Sequence, residues 1–177
     1  MAVLFDDGFE DGTKDAFGAQ TGTVTVSTGS ALAGTVNGIE MSATGAHWLQ
    51  GGSFLTAHSG DYFSVRWHQN HDNVSWGAFE QLQPVYIQTS GSTKGLIRVR
   101  DNGGPIRLQW EQVDDNAVWQ TWPYAVLPSG DYYVELVLKR ASNATANDGT
   151  MNVYVNGSTL GSEVSGLDIY NEWAFRS

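Results

Sequence analysis

Asp131–Leu160, DYYVELVLKRASNATANDGTMNVYVNGSTL, is the stretch whose reading decides the fold. Tyr132, Val134, Leu136 and Leu138 alternate with Tyr133, Glu135, Val137 and Lys139, the period of two that turns one strand face toward a core and the other toward water. A polar loop over residues 141–148 follows. Met151–Val155 alternates again, and Asn156-Gly157 is a two-residue turn signal, because both central residues of that turn need positive φ. The stretch therefore predicts strand, loop, strand, tight turn, strand.

Working outward, the same period recurs along the chain. In Tyr62–Gln69, Phe63, Val65 and Trp67 share one face while Tyr62, Ser64, Arg66 and His68 share the other. Leu96–Arg100 sends Ile97 and Val99 inward and Arg98 and Arg100 outward. Ile106–Val113 places Ile106, Leu108 and Trp110 on one face and Arg107, Gln109 and Glu111 on the other. Trp76–Ile87 carries Pro84, which withholds a ladder donor, so this segment reads as an edge strand or two short strands with a bend. Ala117–Tyr124 alternates and then breaks at Pro123. Nearer the N-terminus, strands are expected over Leu4–Phe9, Thr21–Ser27, Val36–Met41 and Ala46–Gln50.

Composition bounds the rest. A chain of 177 residues is one domain, 1–177, long enough to bury a substantial core. With 21 glycines, few prolines and 12% aromatic residues, it reads as strands punctuated by turns. No cysteine is present, which excludes disulfides, thiol catalysis and thiolate metal sites. The net charge of -10 argues against a nucleic-acid partner, whose backbone calls for a surplus of cations. No apolar run is long enough for membrane insertion. The first residues show no signal peptide, since Met1–Phe5 runs directly into acidic side chains.

A strand of the form Y-x-V-x-L-x-L followed by D-G-T-x-x-x-Y-V-N-G resembles the late strands of the concanavalin A-like lectin/glucanase superfamily, the jelly rolls that include laminin-G-like domains. Phe5–Thr13, Val24–Ser27 and Ser30–Gly34 look like the first strands of such modules in bacterial and phage surface proteins. The resemblance implies an all-β, antiparallel two-sheet jelly-roll β-sandwich. It leaves function open, because the superfamily holds lectins, hydrolases, lyases and structural modules. It also implies a calcium ion near the first strand, for which Asp6, Asp7, Glu10 and Asp11 offer hard oxygen ligands. Their spacing does not match an EF-hand loop, and a solvated acidic edge that discourages strand pairing is the alternative.

Recognition candidates follow from chemistry. Guanidinium groups pair bidentately with carboxylate or sulfate and aromatic rings stack on sugars. Arg66, His68, Arg98, Arg100 and Arg107, with Trp119, Trp122 and Tyr124, would together suit an anionic glycan if the polar strand faces joined into one surface. The plainer alternative is an ordinary solvent face whose arginine stems cover apolar neighbours.

Catalysis finds less support. The E-x-D-x-E acid pair of the glucanases is absent, and Glu80, Glu111 and Glu135 stand alone on their strands. For a polysaccharide lyase, His68 beside Arg66 and Tyr62 is the best constellation, but the R-x-E-x-R and Q-x-H motifs of such enzymes are both expected to be missing. His68 and His71 have a spacing that neither helix nor strand turns into a metal site, and His71-Asp72-Asn73 reads as a turn. The expectation is a non-catalytic surface-binding or structural module, carbohydrate-binding, on a virion surface or extracellular, as a phage decoration or attachment protein. The alternative is a lyase acting on an acidic glycan. Partners would be a cell-surface polysaccharide, capsid or virion proteins, or further copies of the chain at an open strand edge.

Overall fold

In the computed structural model, placement is described for residues 11–13, 17–21, 23–28, 38–41, 48–51, 61–72, 81–89, 92–101, 104–121 and 125–170. Within them lie β1 (Phe17–Thr21), β2 (Val24–Ser27), β3 (Gly38–Met41), β4 (Trp48–Gly51), β5 (Tyr62–Gln69), β6 (Gln81–Thr89) and β7 (Ser92–Arg100). The chain continues with β8 (Arg107–Val113), β9 (Trp119–Thr121), β10 (Ala125–Val126), β11 (Tyr132–Lys139), β12 (Gly149–Val155), β13 (Ser158–Thr159) and β14 (Val164–Leu167). The expected strand over Leu4–Phe9 falls outside the described residues. Thr21–Ser27 is divided between β1 and β2, which pair with β4 and β3 respectively.

Two five-stranded antiparallel sheets make up the body. One has the order β13-β12-β11-β5, with β14 also beside β12; the other has the order β10-β8-β7-β6, with β9 also beside β8. Their inner faces share a single core. Phe63, Val134, Leu136, Leu138, Met151 and Val153 from the first sheet join Ile97, Val99, Leu108 and Trp110 from the second in one cluster of buried side chains. The protein is thus an all-β sandwich with no α-helix among the described residues, and its outer faces point in opposite directions.

β11 is central because both flanking strands meet its apolar face in register. Leu136 lies opposite Val65 of β5 and Val153 of β12, and Val134, Leu136 and Leu138 are fully buried. The turn after β12 has Asn156 at φ 49° and Gly157 at φ 79° and joins Val155 directly to Ser158. This is the double-positive-φ geometry that Asn-Gly favours. Asn156 Oδ1 also accepts the Tyr133 amide at 3.1 Å, tying the turn back to β11.

Glycine and proline mark where pairing is disturbed. Between Gly149 and Thr150 the register with β14 slips, and Gly166, at φ 79°, is the extra residue that lets the edge strand bulge. β6 is an edge strand, and its register with β7 shifts between Leu82 and Val85, around Pro84. β9 and β10 lie in tandem along one edge of β8 with a one-residue change of register across 122–124, the segment that holds Pro123. At Pro84 the missing amide costs no ladder bond that the sheet interior needs.

Candidate functional site

The outward face of the first sheet carries a row of polar contacts. Arg66 Nη2 lies 2.9 Å from Glu135 Oε2, its neighbour across the strands, and Ser64 Oγ donates to Glu135 Oε1 at 3.0 Å. The Arg66 guanidinium sits 5.0 Å from the centre of the Tyr133 ring, and the centre of the His68 ring is 5.6 Å from it. Its hydrogen bond to Glu135, then its attraction to that carboxylate, raises the pKa of Arg66. The guanidinium charge is therefore already balanced by Glu135.

The other three arginines lie on the opposite side of the molecule. Arg98, Arg100 and Arg107 face outward from the second sheet, so the structure does not join them to Arg66 and His68. Arg98 Nη2 is 2.9 Å from Glu111 Oε2. Arg100 and Arg107 stand directly opposite one another at the end of the β7–β8 pair, two like charges across a ladder. Arg107 has no acidic partner among the described residues. Trp119, 45% exposed, pairs with Val113 and so shares this outward face. It is six β8 residues, about 20 Å, from the arginine pair. Trp122 and Tyr124 lie outside the described residues. The face is not a plain solvent face, since Leu96, Gln109 and Val113 on it are all buried.

Of the acidic candidates, Asp6, Asp7 and Glu10 lie outside the described residues. Asp11 Oδ1 accepts the Thr13 amide at 2.8 Å and the Thr13 hydroxyl at 3.0 Å, an Asx turn that lowers its pKa. Among the described residues no three His, Asp or Glu side chains are placed to hold a metal ion. The turn at Asp114 uses its carboxylate structurally. Asp114 Oδ1 accepts the amides of Asn116 and Val118, and Oδ2 accepts Gln120 Nε2.

Sequence reasoning missed a hydrogen-bonded chain at one end of the sandwich. Trp67 Nε1 donates to Gln69 Oε1 at 2.6 Å, Gln69 Nε2 donates to the Tyr132 hydroxyl at 2.5 Å, and that hydroxyl is 2.6 Å from His71 Nδ1. An indole nitrogen can only donate, which orients the Gln69 amide. The amide then donates to the Tyr132 oxygen, and His71 Nδ1 is the one acceptor among the described residues for the buried phenolic proton. His71 is thereby assigned as the neutral tautomer with its proton on Nε2. The ring is only 6% exposed and Tyr132 2%. Burial lowers the His71 pKa, against a smaller opposing pull from Asp72, and burial raises Tyr132 to about 12.

His71 borders an open recess of about 300 Å³ between the sheet ends, with Asp72 and Ser129 as polar walls and Pro105, Ile106 and Leu127 as the apolar one. Asp72 Oδ2 accepts the Gly130 amide at 2.7 Å, and Asn70 Nδ2 donates to Asp131 at 2.6 Å, so two loops are cross-tied at the rim. The alternation through Trp67 and Gln69 was a usable signal, because it aims a glutamine inward beside a tryptophan. Nothing local named Tyr132 as the partner that polar pair needs.

Tyr132→Phe should cost about 2 kcal/mol, because Gln69 Nε2 and His71 Nδ1 would each lose a buried partner. The pH profile adds a check. A His71 pKa held below its ordinary 6.5 means the unfolded chain binds the extra proton, so this group's contribution is present above 6.5 and falls as pH drops below it. Tyr132, raised from 10.0 to about 12, contributes stability below pH 10 that is lost as pH rises toward 12. Denaturant midpoints measured across pH should show the loss above pH 10 in the native chain and a weaker one in Tyr132→Phe.

Compared with known proteins, the chain matches no family model, no curated protein and no solved structure.

Proposed function

We propose that the protein is a non-catalytic binding module with the jelly-roll connectivity of concanavalin A-like domains, taking an anionic glycan on the outward face of its second sheet. The supporting observation is Arg107, which faces outward with no acidic partner among the described residues and stands directly across the ladder from Arg100. An outward guanidinium without a carboxylate neighbour can pair bidentately with a glycan carboxylate or sulfate. Trp119 on the same face offers a stacking surface to a sugar further along an extended chain. Arg66 and Arg98, each balanced by a glutamate, contribute less. Display on a surface such as a phage virion accords with this reading, as does an acidic net charge that keeps the module soluble at high local density.

A glycan array tests it. Binding to sulfated or uronate glycans should weaken about tenfold in Arg107→Ala, a loss of about 1.4 kcal/mol, with a similar loss in Trp119→Ala and little change in Arg66→Ala. Absence of binding to every anionic glycan would sink the proposal.

One observation favours an acidic-glycan lyase as the second reading. Gln69-Asn70-His71 does carry the Q-x-H spacing expected above to be missing, and both side chains converge on the Tyr132 hydroxyl. In that case His71 and Tyr132, not His68, handle the proton. Against it, the described lining of the recess holds no cation to neutralise a uronate, and Asp72 would repel one. Appearance of the unsaturated product's absorbance with uronate polymers, abolished in His71→Ala, would replace the binding reading with this one.

A further inference from the structure

The recess beside His71 combines three chemically distinct walls. His71 Nδ1 is taken by Tyr132, so Nε2–H is the ring donor left over, and no described group accepts from it. Asp72 presents an exposed carboxylate with one oxygen on the Gly130 amide and the other available. Pro105, Ile106 and Leu127 supply the apolar side. An occupant therefore has to offer a cationic or strongly donating group to Asp72, an acceptor to His71, and a short aliphatic body to the remaining wall. Asp131, tied to Asn70 at the same rim, adds to the negative potential, and the net charge of -10 extends it over the molecule. A volume of about 300 Å³ is at the small end for ligand sites and holds about one residue.

We propose that this recess binds an α-ammonium group with a neighbouring carbonyl on an aliphatic residue, the chemistry shared by a free amino-acid amide and by the amino end of a peptide. The ammonium pairs with Asp72, the carbonyl oxygen accepts from His71 Nε2, and the side chain lies on Pro105, Ile106 and Leu127. A free carboxylate is excluded by Asp72, and a bare metal ion finds a single carboxylate where it needs several. Ser129 offers a hydroxyl that serves as either donor or acceptor.

NMR titration of the whole chain with L-leucinamide near pH 7, where its amine is mostly charged, provides the test. Saturable shifts are expected at the His71 ring and at the Ser129 and Gly130 amides, with millimolar affinity. Asp72→Asn, which keeps an acceptor for the Gly130 amide, should weaken binding at least tenfold while leaving the core signals in place. N-acetyl-leucinamide, which lacks the charge, should bind as weakly. Butylamine should also bind more weakly than leucinamide, since it gives His71 no acceptor. Equal or tighter binding by Leu-Gly-Gly assigns the recess to peptide chain ends and weaker binding to free amides; either result supports the proposal. It is overturned if leucinamide gives no saturable shift at these residues, if N-acetylation or Asp72→Asn changes nothing, or if butylamine binds equally well. None of these outcomes depends on the outward face of the second sheet, whose variants are read with glycans.

Discussion

Trp110→Ala should destabilise the protein by about 4 kcal/mol and lower its melting temperature by about 10 °C, the largest effect expected of any single truncation here. Trp110 is 1% exposed and stands in the middle of β8, where its ring fills the space between the two sheets with Ile97, Val99 and Leu108. Its far edge lies over Gly95 on the neighbouring strand, 3.3 Å from where a β-carbon would be. The glycine therefore leaves room for the indole and brings no side chain of its own to refill the cavity. Trp110→Phe should cost much less, because the buried indole nitrogen has no hydrogen-bond partner among the described residues. Gly95→Ala, mildly destabilising in the native chain, should become neutral or favourable in the Trp110→Ala background. Additive effects in that double-mutant cycle, or a Trp110→Ala loss below about 1 kcal/mol, would mean the sheets do not close over β8.

The second large effect belongs to Gly149. A β-carbon there would sit 2.8 Å from the Leu167 carbonyl oxygen, 3.1 Å from that of Lys139 and 3.0 Å from Ile169 Cγ1. Two of these neighbours are backbone, on the strands flanking β12, and neither can move without opening its own ladder. Gly149→Ala should cost about 3 kcal/mol, at the upper end for overpacking. The edge strand β14 should yield first, so hydrogen exchange at Leu167 and Ile169 should accelerate before the rest of the sheet. Gly161→Ala is the comparison. Gly161, unlike Gly149, has positive φ, 81°, and no described atom within 4 Å of a β-carbon, so alanine there should cost only about 1 kcal/mol of backbone strain. If the two variants unfold at the same denaturant concentration, close approach is not what glycine serves at 149.

These predictions come from parts of the chain that differ in how plainly they can be read. The alternation in Tyr132–Lys139 and Met151–Val155 is local, because a strand's two faces meet different surroundings every second residue, and Asn156-Gly157 states its own φ requirement. Pro84 and Pro123 were similarly informative, since a missing amide can be tolerated only at an edge or a bulge. The arginines were readable as outward-facing but not as grouped. Arg66 and Arg98 carry the same local signature, and only the pairing of β5 with β11, whose strands are 63 or more residues apart, places them on opposite sides. Leu96 and Val113 at outward positions hinted that the second sheet's outer face is partly covered. His71-Asp72-Asn73 reads as a turn, and nothing nearby announces that the imidazole is buried against Tyr132.

From the sequence by itself came the all-β character, the inward and outward residues of β5, β7, β8 and β11, and the places where pairing must break. Those follow from covalent geometry and side-chain polarity acting over a few residues. The tertiary structure alone decided which strands share a sheet, which guanidinium meets which carboxylate, and that Trp67, Gln69, Tyr132 and His71 form one hydrogen-bonded chain beside a recess. Such contacts depend on bringing together segments far apart in the chain. Their energies belong to the pair and leave no mark in either segment alone.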